Sequence, residues 1–165
     1  MASFLSSLFG RSEQTAARDT NNANIYPADS FAFLNAEGNG VAIMGSVNKA
    51  YKNYDKKAEF PWCLHVGISL SADNVQSNGL PKSDESDMAY KQEEELLDEI
   101  KKLGAAHFIG HIFNDGFLDL YVYLQDPEAV HQYLQTQINK PDLLRGFGYE
   151  INKDEEWTKV EALLQ

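Results

Sequence analysis

One stretch constrains the fold more than any other, Phe60-Pro-Trp-Cys-Leu-His-Val-Gly-Ile-Ser-Leu70. Trp62, Leu64, Val66, Ile68 and Leu70 fall at every second position, which predicts a strand with one buried face. Cys63, His65, Gly67 and Ser69 take the other face. The polar run from Ser71 to Asp84, with Gly79 and Pro81, predicts a long loop. The period then changes. Between Ser86 and Leu103 the residues Ala89, Leu96, Leu97, Ile100 and Leu103 form a stripe at helical spacing, and Gly104 is suited to end it.

Two further alternating runs, Ala106–Phe113 and Phe117–Leu124, flank Asn114-Asp-Gly116, which is strong hairpin chemistry. Asp126-Pro-Glu128 opens a second helix, with aspartate as cap and proline in the first turn, and Val130, Tyr133, Leu134 and Ile138 give it an apolar face. A strand at Arg145–Asn152 and a helix at Asp154–Leu164, anchored by Trp157, Val160 and Leu164, complete the pattern. From Phe60 the order is β-α-β-β-α-β, the α+β arrangement called ferredoxin-like, in which an antiparallel sheet carries both helices on one face. Phe31–Leu34 and Val41–Val47, around the turn-forming Asn35–Gly40, add an N-terminal hairpin at one edge. The folded domain is thus expected over residues 29–165. Residues 1–28 read as a short helix, with Phe4, Leu5, Leu8 and Phe9 on one face, followed by a polar linker.

Charge narrows the partners. With 25 acidic residues against 14 basic ones the net charge is −11. A field of that sign repels phosphate backbones and attracts basic proteins, so direct nucleic-acid binding is not expected. No apolar run reaches the length of a membrane span, and the first nine residues lack the cationic start of a signal peptide. A single cysteine, Cys63, excludes an internal disulfide and suits a reducing compartment, so the cytoplasm is expected.

Chemistry is sparse. In the expected register, Cys63, His65, His107, His111 and Asp119 share the sheet face away from the helices with Tyr121 and Tyr123. Cys-x-His and His-x3-His have even spacing, which keeps each pair on one side of a strand. That face is the one place where a metal-assisted hydrolase could be built, yet Cys-x-His is not a closed-site spacing, and His107 and His111 would stand ~13 Å apart. No nucleophile elbow, glycine-rich phosphate cradle or isolated carboxylate pair is present, so no catalytic residue and no cofactor is assigned.

Several landmarks occur in a telling order: Gly40-Val-Ala-Ile-Met44, Phe60-Pro-Trp-Cys-Leu-His-Val66, Gly79-Leu-Pro81, Gly110-His-Ile-Phe-Asn-Asp-Gly-Phe-Leu-Asp-Leu-Tyr-Val-Tyr123 and Asp154-Glu-Glu-Trp157. Together they resemble a bacterial family known as domain of unknown function 695, over about Asp29 to Leu164. The aromatic residue expected soon after Trp157 is absent, with Lys159 and Val160 there instead. The family is distantly similar to the regulators of ribonuclease E activity of the B type, acidic proteins that inhibit an RNA-cleaving enzyme by binding it. The resemblance implies an inhibitory binding protein.

The functional expectation is therefore a non-catalytic inhibitor or immunity-type protein that neutralises a basic nuclease or toxin. Homodimerisation through the sheet is the structural alternative. The partner surface is expected on and before the main helix, at Asp84, Glu85, Asp87, Glu93, Glu94, Glu95, Asp98 and Glu99, with Tyr90 as the anchor among them. Such charges set association rate and partner choice, while a few buried side chains hold the complex.

Overall fold

A computed structural model describes residues 25–165, so the short helix expected near the N-terminus lies outside the described residues. The sheet contains β1 (Phe31–Gly38), β2 (Val41–Asn48), β3 (Trp62–Ser69), β4 (Ala106–Asn114), β5 (Phe117–Leu124) and β6 (Phe147–Lys153). All neighbours pair antiparallel, in the order β1-β2-β4-β5-β3-β6. Helices α1 (Ser83–Leu103), α2 (Glu128–Gln137) and the short α3 (Glu161–Leu164) complete the described architecture. None of these helices is long and apolar enough to cross a membrane.

Alternation in β3 and β5 works as expected. Leu64, Val66 and Ile68 meet Leu118, Leu120 and Val122 on one face, where Ala89, Leu96, Leu97 and Ile100 of α1 and Val130 and Leu134 of α2 cover them. Asp126 Oδ1 accepts from the Glu128 N–H at 3.0 Å in a turn just ahead of α2, whose N-cap is Pro127 rather than the expected Asp126. Both hairpin turns, Asn39-Gly40 and Asp115-Gly116, have two successive residues at positive φ, the geometry that Asn-Gly and Asp-Gly supply at least cost.

The elements differ from the sequence pattern in several places, among them β1, which runs on to Gly38, and β6, which spans Phe147–Lys153 rather than Arg145–Asn152. Helix α1 begins three residues early, at Ser83. Leu103, expected in its buried stripe, is 42% exposed at the last position of the helix. The expected helix at Asp154–Leu164 is replaced by a turn, a 3-10 segment at Thr158–Val160 and α3. Asp154 causes this: its carboxylate accepts from the Thr158 and Lys159 N–H groups and the Thr158 hydroxyl, while Trp157 adopts φ 59°. That left-handed turn seats the indole on Tyr123, with ring centroids 4.1 Å apart.

A second apolar cluster lies on the opposite sheet face. Val47, Tyr51, Phe60, Cys63, Ile109, Tyr123, Trp157, Val160 and Leu164 close one half of that face beneath the segments after β2 and β6. Glycines let β2 and β4 approach closely: a Cβ at Gly45 would run into the His111 carbonyl oxygen, and one at Gly110 into that of Ser46.

Candidate functional site

The Cys/His/Asp set expected on one sheet face is divided by a bulge. Strand β4 pairs His107 with Tyr123 and Phe108 with Val122, then resumes with Gly110 opposite Tyr121 and His111 opposite Leu120. The extra residue, Ile109, reverses the alternation, since a one-residue slip turns every later side chain to the other face. His111 therefore lies on the helix side, with Nδ1 2.8 and 2.9 Å from the two Glu93 oxygens. His107 stays on the far face and is fully buried among Tyr51, Tyr54, Phe60 and Trp157.

The tautomer of His107 follows from its partners. The Tyr54 hydroxyl donates to the Ile25 carbonyl at 2.8 Å, so it accepts from His107 Nε2–H at 3.1 Å. Nδ1 then accepts from the Tyr51 hydroxyl at 3.0 Å. Burial drives the His107 pKa down to about 4, and the ring is neutral near pH 7. Cys63 is buried too, and burial pushes its thiol up to about 11, so it is a neutral thiol near pH 7. No group of three or more His, Cys, Asp or Glu side chains among the described residues is placed to hold a metal ion.

His65 and Asp119 do come together. His65 Nε2 donates to Asp119 Oδ1 at 2.8 Å, its ring stacks on Tyr121 at 5.1 Å, and Glu150 Oε1 lies 3.8 Å from Nδ1. They border an open groove of about 740 Å³ in which Gly67 and Gly148, paired across β3 and β6, leave the strand backbone bare. A histidine oriented by a carboxylate is part of an acid–base device. Ser69, the hydroxyl on the same strand face, is four residues away, ~13 Å along the strand. That distance is too great for His65 to activate it.

The acids of α1 divide into two groups. Glu85 is wholly buried: Arg145 reaches it through Nε and Nη2, each at 2.6 Å, and the Ser71 N–H donates to it at 2.8 Å. The Arg145 hydrogen bonds outweigh the cost of burial and hold its carboxyl down at about 2. Glu93 is 6% exposed and engaged with His111. These two were expected in the solvated partner surface and are instead internal ties. Asp84, Asp87, Glu94, Glu95 and Asp98 are exposed, Glu99 is half-buried, and Tyr90 is 37% exposed. Burial, with the nearby Glu93 and Asp87 carboxylates, raises the Tyr90 pKa.

Beside this acidic face lies a feature not singled out from the sequence. Tyr90, Leu97, Asp98, Lys101, Phe108 and His111 line a cleft of about 350 Å³ between α1 and the sheet. The hairpin β1–β2 extends the sheet past α1, and on the helix-side face the residues of β1 are exposed. Phe31 and Phe33 lie on that face, 50% and 73% exposed. Phe33 sits opposite Ser46, which sits opposite His111, placing the phenyl two strands from the cleft. The signal for it was in Phe31-Ala-Phe-Leu34, which is apolar on both faces of a strand that has only one core to meet.

Residues 30–164 match a family described as a family of unknown function (DUF695). No curated protein and no solved structure matches the chain.

Proposed function

Because the chain belongs to this family of unknown function, whose description assigns no activity, we propose from the geometry that it is a non-catalytic binding protein for a basic protein partner. The observation that carries the reading is the presence on the helix side of the sheet of exposed aromatics, Phe31, Phe33 and Tyr90, together with exposed acids Asp87, Glu94 and Asp98 along α1, Lys101 being the one base in the cleft beside them. Interfaces of this kind are held by aromatic anchors and selected by surrounding charge. Neutralising a cationic nuclease or toxin in a reducing cytoplasm is the role that suits this surface and the charge of −11. The order β4-β5-β3-β6, with α1 and α2 as the two crossovers, supports a ferredoxin-like reading of the last four strands.

A display library of random peptides, selected on the full chain at low salt, tests the proposal. Enriched peptides are expected to combine lysine or arginine with an apolar side chain and to lose at least tenfold in affinity to Phe33→Ser and Tyr90→Ala variants. Enrichment of acidic peptides, or affinity that survives both substitutions, would overturn it.

A further inference from the structure

Among the described residues β1 is an edge strand, and its hairpin determines which backbone groups face outward. The two-residue Asn39-Gly40 turn makes Gly38 and Val41 the closing hydrogen-bonded pair. Counting back by twos, Ala36, Leu34 and Ala32 direct their N–H and C=O groups to β2. The Lys49 N–H donating to the Ser30 carbonyl at 2.8 Å lies at the far end of this same row. Phe31, Phe33, Asn35 and Glu37 consequently direct theirs away from the sheet. The strand is eight residues long and lacks the proline, lysine or bulge that ordinarily blunts an edge.

We propose that the basic partner binds by adding a strand to this edge, so that Phe31, Phe33, Asn35 and Glu37 supply backbone hydrogen bonds and the two phenyl groups grip its alternate side chains. The proposal rests on the reading of the aromatic and acidic surface given above and adds the mode of engagement. Charge selects a basic occupant over a second copy of the chain. An antiparallel self-pairing centred on Phe33 would set Glu37 opposite Asp29 of the second copy and bring together two bodies that each carry −11. A cationic strand meets Glu37 at the edge, and in the cleft two strands behind it the acids Glu94 and Asp98 outnumber the single base Lys101.

The test is Asn35→Pro in the full chain, with Asn35→Ala as its control. Proline at this position removes an outward N–H that β2 does not use, so the unfolding midpoint should barely move. Affinity for the best selected basic peptide is expected to fall at least tenfold with proline and to persist with alanine. Hydrogen exchange at the Phe33, Asn35 and Glu37 amides is expected to slow when that peptide binds the unsubstituted chain; this readout decides the matter if the proline variant unfolds. Unchanged affinity with proline, alongside a loss with Phe33→Ser, would overturn strand addition and leave the binding surface standing. Indifference to both would remove the binding surface as well. Edge amides already protected in the free monomer, or protected increasingly with protein concentration, would assign the edge to the chain itself or to a second copy, and would also overturn the proposal.

Discussion

Tyr51 donates a 3.0 Å hydrogen bond to Nδ1 of His107, inside a pocket whose burial keeps the imidazole neutral. Protonation would put a charge into surroundings made largely of aromatic rings. The unfolded chain therefore binds a proton more readily than the folded one between pH 6.5 and about 4. Stability is expected to fall as pH drops through that window, by up to about 3 kcal/mol from this group. Urea unfolding at half-unit pH intervals measures the slope. His107→Leu should flatten it even though it lowers stability overall, and an equally steep slope in that variant would exclude His107 as the cause.

Glu85 behaves in the opposite sense with respect to charge. Its pKa, held near 2 by Arg145, gives stability that is complete above the unfolded value of 4.5 and is lost as pH falls toward 2. Arg145→Met, which strands a buried carboxylate, is expected to cost about 3–5 kcal/mol, whereas Glu85→Leu with Arg145→Met together should recover much of that loss. Calorimetry on the two variants checks the prediction, and equal losses in both would contradict it.

Leu120 is 1% exposed at the centre of the helix-side core. Leu120→Ala is expected to cost about 2–5 kcal/mol in urea or thermal unfolding. A loss below about half a kcal/mol would mean that Leu120 does not face the helix-side core and that the strand faces are assigned wrongly.

The remaining acids of α1 are available to steer a partner. Reversing Glu94, Glu95 and Asp98 to lysine is expected to leave the fold intact, because these side chains are solvent-exposed. Association with a selected basic peptide should slow by roughly tenfold at low salt and less as salt rises. Stopped-flow rates that do not change in the folded triple variant would exclude this helix face from recognition.

Local pattern was enough wherever neighbours in sequence are also neighbours in space. The alternation from Trp62 to Leu70, the Asn114-Asp-Gly116 turn and the stripe of Leu96 and Ile100 each declare an element and its buried side, because a strand has period two and a helix 3.6. The order of those elements follows from reading along the chain. The division of the acids on α1 did not. Glu85 and Glu94 look alike in sequence, and only Arg145, 60 residues on, and His111, 18 residues beyond Glu93, decide which carboxylates are internal. Nor does any residue type announce the bulge at Ile109, which comes from how β4 fits between β2 and β5 and which separates His111 from His107. The sequence by itself determined the elements, their order and the net charge of −11, all of which depend on residue spacing or on a sum over residues. Only the tertiary structure decided which charged and aromatic groups remain in water, because burial depends on what the rest of the chain lays over each side chain.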